Sequence, residues 1–186
     1  MSVNSGSSLE QQRQEFAQRR LIATPLAGLI AWSVVAVCSL FMDSYAISMT
    51  LFIATGSIVY LALPISKLTG EDFLNKQRPK NTFDTLFYYT IGMSVLVYAI
   101  AIPFFLIDYT SLPLSVGILT GLMWLPISWI IQHWIGFVHA ILRTLVVVSV
   151  WYLFPEHRFF AVSVAIVTLY IGAIIVLERR WRALQN

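Results

Sequence analysis

Arg143 lies inside the apolar stretch from Trp134 to Phe154, one helical turn after His139. Gln132, Gly136, His139 and Arg143 are spaced 4, 3 and 4 residues apart, which on a helix gathers all four on one face. A guanidinium at the centre of a membrane-spanning helix costs about 2.5–3.5 kcal/mol on insertion scales, so such a residue marks a solute path, a binding site or a cross-brace. Its donors suit a small anion or the phosphate or carboxylate of a lipid head group. His139, one turn away, adds a titratable neighbour.

What faces Arg143 depends on where the acids fall. None of the nine acidic residues is expected at its depth. Asp84 and Glu178 are expected at the inner membrane edge, Asp43, Asp108 and Glu156 at the outer edge, and the rest in cytoplasmic segments. The guanidinium must therefore meet hydroxyls, backbone carbonyls, water or a bound anion. Asp84, Tyr88, Ile91, Val95 and Tyr98 follow helical spacing, so Asp84, Tyr88 and Tyr98 line one face, with Thr90 and Ser94 nearby. Thr55, Ser57 and Tyr60 add hydroxyls from another segment. These residues predict a polar cavity that holds water or a small anionic group against Arg143. The structural alternative is that Arg143 bonds carbonyls at a helix kinked by Pro103 or Pro126 and braces the bundle.

The elements that carry these residues follow from composition. The chain of 186 residues is 58% apolar and 11% charged, with a mean hydropathy of +0.77. Soluble domains carry about 25% charged residues, so this chain belongs in a membrane. The fold class read from it is all-α: a polytopic bundle of six transmembrane helices with both termini cytoplasmic. Residues 1–20 form a tail with a short amphipathic helix, 21–178 the six-span bundle and 179–186 a basic tail. The first apolar run, from Leu21, is long enough to span and has no small-residue cleavage pattern, so it is expected to remain as the first span.

Met1 to Ser8 is Ser-, Asn- and Gly-rich and is expected to be disordered. Ser8 with Gln11, or Ser7 with Glu10, has the form of a capping box, and residues 9–20 read as a helix on the inner membrane surface. Thr24-Pro25 signals a helix start, and the expected spans are 25–41, 45–63 ending at Pro64, 83–107 with a kink at Pro103, 113–131, 134–154 and 159–177. The connection 65–82 carries Lys67, Lys76, Arg78 and Lys80, with Glu71 and Asp72 among them. Residues 126–154 also read as one long helix, with 113–125 as a re-entrant half-span. Charge decides against it: with six spans, ten of the twelve basic residues lie inside, Arg158 outside and Arg143 within the membrane. Trp129, Trp134, Trp151 and Trp181 fall near span ends, as membrane anchors do.

Several function classes lose support. The basic residues follow topology rather than a nucleic-acid-reading pattern, so no nucleic-acid partner is expected. His133 and His139 are six apart, on different helix faces, and neither a metal motif nor a Gly-x-Ser-x-Gly elbow is present. No cofactor or metal is expected, and Cys38 reads as a small buried hydrophobe. Gly117 and Gly121 form a Gly-x-x-x-Gly in the fourth span, a close-packing face inside the bundle or in a homo-oligomer. A faint likeness between the starts of the first and fourth spans, Pro25 to Trp32 and Pro113 to Trp124, hints at an inverted repeat. The leading expectation is an integral protein of a cell membrane, taken as the bacterial cytoplasmic one, that binds or moves a small solute or anion. Arg143, His139, Gln132, Tyr88, Tyr98 and Asp84 are its candidate ligand-binding residues. The alternatives are a membrane-embedded enzyme or lipid-head-group-binding protein using the same site, and an assembly subunit of a membrane complex.

Overall fold

The computed structural model describes residues 7–75, 77 and 81–185, and the described residues are all helix, turn and coil. The expectations for residues 1–6 and for the charges of Lys76, Arg78 and Lys80 lie outside the described residues. The order is α1 (Leu9–Ala17), α2 (Ala23–Cys38), α3 (Ser44–Gly56), α4 (Ile58–Leu68), α5 (Thr82–Leu96), α6 (Tyr98–Ile107), α7 (Ser111–Leu119), a 3-10 turn (Thr120–Met123), α8 (Trp124–Ile131), α9 (Ile135–Leu153), a second 3-10 turn (Pro155–His157) and α10 (Arg158–Gln185).

Local chemistry explains most boundaries. The Ser8–Gln11 capping box starts α1. The Asp43 carboxylate accepts from the amides of Tyr45 and Ala46 at the start of α3, and Asn81 caps α5 through the Phe83 amide. Thr24-Pro25 does not act as the cap of α2. That helix begins two residues earlier, after Ile22, and Thr24 lies inside its first turn. Its first amides are instead satisfied from a distance, because Glu71 accepts from Ile22 N–H at 3.0 Å and Ala23 N–H at 2.8 Å. Pro64 does not end its helix either; α4 continues to Leu68.

Among the described residues, four segments are long and apolar enough to cross a membrane: Thr82–Ile107, Ser111–Ile131, Ile135–Leu153 and Pro155–Gln185. A fifth candidate is α3 with α4, which bend by 46° at their junction. The sixteen-residue α2 is apolar but shorter. Several apolar helices of this length fit integration into a membrane. Residues 126–154 are divided between α8 and α9 by a turn in which Gln132 is left-handed, with φ 47°.

The core is built around α10 and α2. Phe159, Val162, Ser163, Ile166, Tyr170, Ala173 and Leu177 repeat at helical spacing and are buried together. They meet α2 at Ala27, Gly28, Ala31, Trp32 and Val35, and a Cβ on Gly28 would stand 2.6 Å from the Tyr170 ring. At the basic end, α1 is clamped across the bundle. Arg13 donates to the Ile130 carbonyl at 3.1 Å, Arg180 to the Ala17 carbonyl, Arg19 pairs with Asp84, and Arg20 pairs with Glu178 at 2.8 Å.

Candidate functional site

Gly136, His139 and Arg143 share the buried face of α9, as their spacing predicts. Gln132 does not join them. The helix starts after it, its left-handed backbone ends α8, and its side chain is exposed. The 3.6-residue pattern holds only within one helix, and the turn at 132–134 breaks it.

Arg143 is 0% exposed. Its Nε donates to the Gly117 carbonyl at 2.7 Å and its Nη2 to Thr120 Oγ1 at 3.1 Å. Its carbon centre lies 5.1 Å from the Tyr170 ring centroid and 5.8 Å from that of Trp32. Among the described residues it makes no salt bridge. Among the same residues Nη1 has no hydrogen-bond partner, and neither does Trp32 Nε1 or His139 Nε2. The two acceptors lie at the end of α7 and on the first residue of the 3-10 turn Thr120–Met123 that follows it, ahead of the Leu122 carbonyl that is left without the N–H that Pro126 lacks.

The glycines allow this approach. A Cβ on Gly121 would sit 2.8 Å from Arg143 Cδ, and one on Gly117 3.2 Å from Ile166 and 3.3 Å from Val147. The Gly-x-x-x-Gly face is therefore filled from within the bundle by α9 and α10. Gly136 brings α9 onto α8, where a Cβ would be 2.4 Å from the Trp124 carbonyl oxygen. His139 is 2% exposed, with its ring 4.2 Å from that of Trp124 and 5.5 Å from that of Tyr170.

The candidates on α5 and α6 sit elsewhere. Asp84, in the first turn of α5, is held by Arg19, with the second contact at 3.2 Å. Tyr98 shares a 2.6 Å hydrogen bond with Thr55, and Tyr88 is half exposed, its hydroxyl 3.4 Å from the Phe73 carbonyl. Tyr88 and Tyr98 do not reach Arg143. They line a cavity of about 150 Å³ together with Thr55, Ala62, Ile91, Val95, Thr120, Trp124 and Tyr170. Its exposed lining residues are Gly56, Val59, Tyr88 and Val95, at the α3–α4 bend and on the outer face of α5. The cavity therefore opens sideways between α4 and α5, on a surface covered in apolar residues. Thr120, Trp124 and Tyr170 form its inner wall and also touch Arg143 or His139. The sequence thus predicts one polar chamber where the structure has a lateral apolar cavity and, behind its wall, an enclosed cation.

The functional residues missed by sequence reasoning are Thr120, Trp124, Tyr170 and Glu71. Tyr170 stands on the buried stripe of α10, where its spacing from Ile166 and Ala173 is a readable signal. Glu71 offers none, since it lies between Gly70 and Asp72 in a charged loop. Its position depends on two positive-φ neighbours, Gly70 at 79° and Asp72 at 38°. Burial holds its carboxyl above the usual carboxylate range, against the opposing pull of the Ala23 and Ile22 amides, Thr69 and Arg20.

No curated protein and no solved structure matches this chain. Residues 9–180, which take in every helix named above except the last turns of α10, match one family, and the chain belongs to it: a family of unknown function (DUF7010).

Proposed function

We propose that this is a six-span membrane protein, with both ends on the cytoplasmic side, that binds a small, largely apolar or amphiphilic molecule from the bilayer in the cavity between α4 and α5. The six-span reading takes α2 as a short first crossing, about 24 Å at 1.5 Å per residue, and α3 with α4 as a bent second one. The basic residues then gather on one side. The observation that carries the functional reading is the cavity's mouth. Val59 and Val95 face the surface where lipid would lie, while Thr55, Trp124 and Tyr170 at its inner wall are buried. A bilayer solute can enter there without crossing water. Thr55 and Tyr170 place hydroxyl-bearing side chains on the buried part of a mostly apolar lining, as in sites that orient an apolar ligand.

A diazirine-bearing octanol, irradiated with the protein in nanodiscs, tests this. Labels are expected on Leu63, Ile91 and Val95 and are expected to fall when Ala62→Phe fills the space. Labelling spread evenly over the outward faces of α5 and α6, at Ile100 and Phe104 as much as in the cavity, would overturn it.

A second reading keeps a small anion at Arg143 and His139. It is favoured by two buried donors without partners among the described residues, Nη1 of Arg143 and Nε1 of Trp32, whose ring centroid lies 5.8 Å from the guanidinium carbon. Chloride, nitrate or phosphate should then raise the thermal stability of the purified protein, and the effect should vanish in Arg143→Met. Identical stability in salts of each anion and of an inert one at equal ionic strength would remove this reading.

A further inference from the structure

The cavity is also lined by polar groups that make no hydrogen bond with Arg143 or His139. Glu71 and Thr24 both line it, and Glu71 is only 4% exposed. One carboxylate oxygen of Glu71, Oε1, is saturated, accepting from Ile22 N–H at 3.0 Å, Ala23 N–H at 2.8 Å and Thr69 Oγ1 at 3.1 Å. Among the described residues the other, Oε2, has no hydrogen-bond partner, and neither has Thr24 Oγ1. Arg20 does not supply the missing donor. Its guanidinium is engaged by Glu178 at 2.8 and 3.1 Å and by the Thr69 carbonyl at 3.2 Å. A buried polar oxygen without a donor is costly, and this one belongs to a residue that lines an otherwise largely apolar cavity.

We propose that Glu71 and Thr24 form a head-group subsite for a protonated primary amine carried on a short apolar body. This rests on the cavity reading above and adds the chemical class of the ligand. An ammonium is compact, carries three donors and no acceptor, and meets acceptors that lack donors. Its charge offsets that of a carboxylate held in apolar surroundings. A neutral alcohol brings a single donor and no charge, while a phosphate or carboxylate head would be repelled by Glu71. The body lies along Leu63, Ile91 and Val95, which the cavity shares with Glu71. A cavity of about 150 Å³ takes an aromatic ring or a few methylenes, since apolar cavities near that size accept benzene.

The experiment uses two diazirine probes with the same alkyl chain, one ending in a primary amine and one in a hydroxyl, in nanodiscs of neutral lipid near pH 7, where the amine is protonated. Concentration series are read by mass spectrometry at Leu63, Ile91 and Val95. The amine is expected to half-saturate at a concentration about tenfold lower than the alcohol, equivalent to roughly 1.4 kcal/mol. In Glu71→Gln the amine is expected to fall to the level of the alcohol, and in Thr24→Val to weaken in the same direction. If Glu71→Gln does not fold, the comparison of the two probes on the unaltered protein still decides. Equal labelling by both heads, or an amine preference that survives Glu71→Gln, overturns the subsite and leaves the cavity standing. Cavity labelling by neither probe overturns the cavity reading itself.

Discussion

Replacing Arg143 with Met measures how much of its environment belongs to this chain alone. The guanidinium makes two hydrogen bonds, to the Gly117 carbonyl and Thr120 Oγ1, and packs on the Tyr170 face. Hydrogen bonds between transmembrane helices average about 0.6 kcal/mol and reach about 1.7, so the pair contributes roughly 1.2–3.4 kcal/mol. The aromatic face adds about 0.5–2 kcal/mol. The insertion cost of Arg does not enter, because the helices stay in the bilayer when the bundle unfolds there. Arg143→Met is therefore expected to lose roughly 1.7–5.4 kcal/mol. Arg143→Lys keeps the buried charge but puts a methylene where Nε meets Gly117, so it is expected to lose about 0.6–1.7 kcal/mol. Reversible steric-trap unfolding in bicelles reads both. A loss of about 7 kcal/mol or more in Arg143→Met would refute this accounting, because the protein contacts cannot supply it. The excess would have to come from something bound at Nη1, and the anion reading would gain what the brace reading lost.

Two further outcomes follow from contacts away from Arg143. Gly136→Ala would place a Cβ 2.4 Å from a backbone oxygen that cannot swing aside, so it is expected to cost near the upper end of the roughly 1–3 kcal/mol typical of overpacking, while Gly172→Ala, with open space around it, gains up to about 1 kcal/mol; equal unfolding midpoints for the two variants would refute the α8–α9 contact. The carboxyl of Glu71 is raised by burial above its ordinary value of 4.5, so the folded state binds its proton more tightly, and the stability this brings is fully present below that value and lost as pH rises through the folded one; the melting temperature of the unaltered protein should fall relative to Glu71→Gln over that rise, and a difference between the two that stays constant with pH would refute the burial.

What could be read from the chain divides by the distance over which each pattern acts. Helices bounded by Asp43 and Asn81, and the face shared by Gly136, His139 and Arg143, are set by neighbours within a turn or two and were legible. Gln132 was misplaced because nothing local distinguishes a left-handed residue from one more helical turn. Helix starts satisfied from afar were equally hidden, since the acceptor for α2 is Glu71, some fifty positions along the chain. The absence of a carboxylate at the depth of Arg143 was legible because it required only counting acids. Which helix would face Arg143 was not, because helical periodicity defines a face without naming its partner. Hydroxyls on the segment 83–107 make it the natural choice, yet the last turn of α7 offers the Gly117 carbonyl and the 3-10 turn after it offers Thr120, and Gly121 lacks the side chain that would keep a guanidinium away. Once α7 and this turn occupy that place, Tyr88 and Tyr98 are separated from Arg143 by Thr120, Trp124 and Tyr170. The same three residues then bound an apolar space on one side and a cation on the other, so a ligand in the cavity would press on the wall that holds Arg143 without touching the charge.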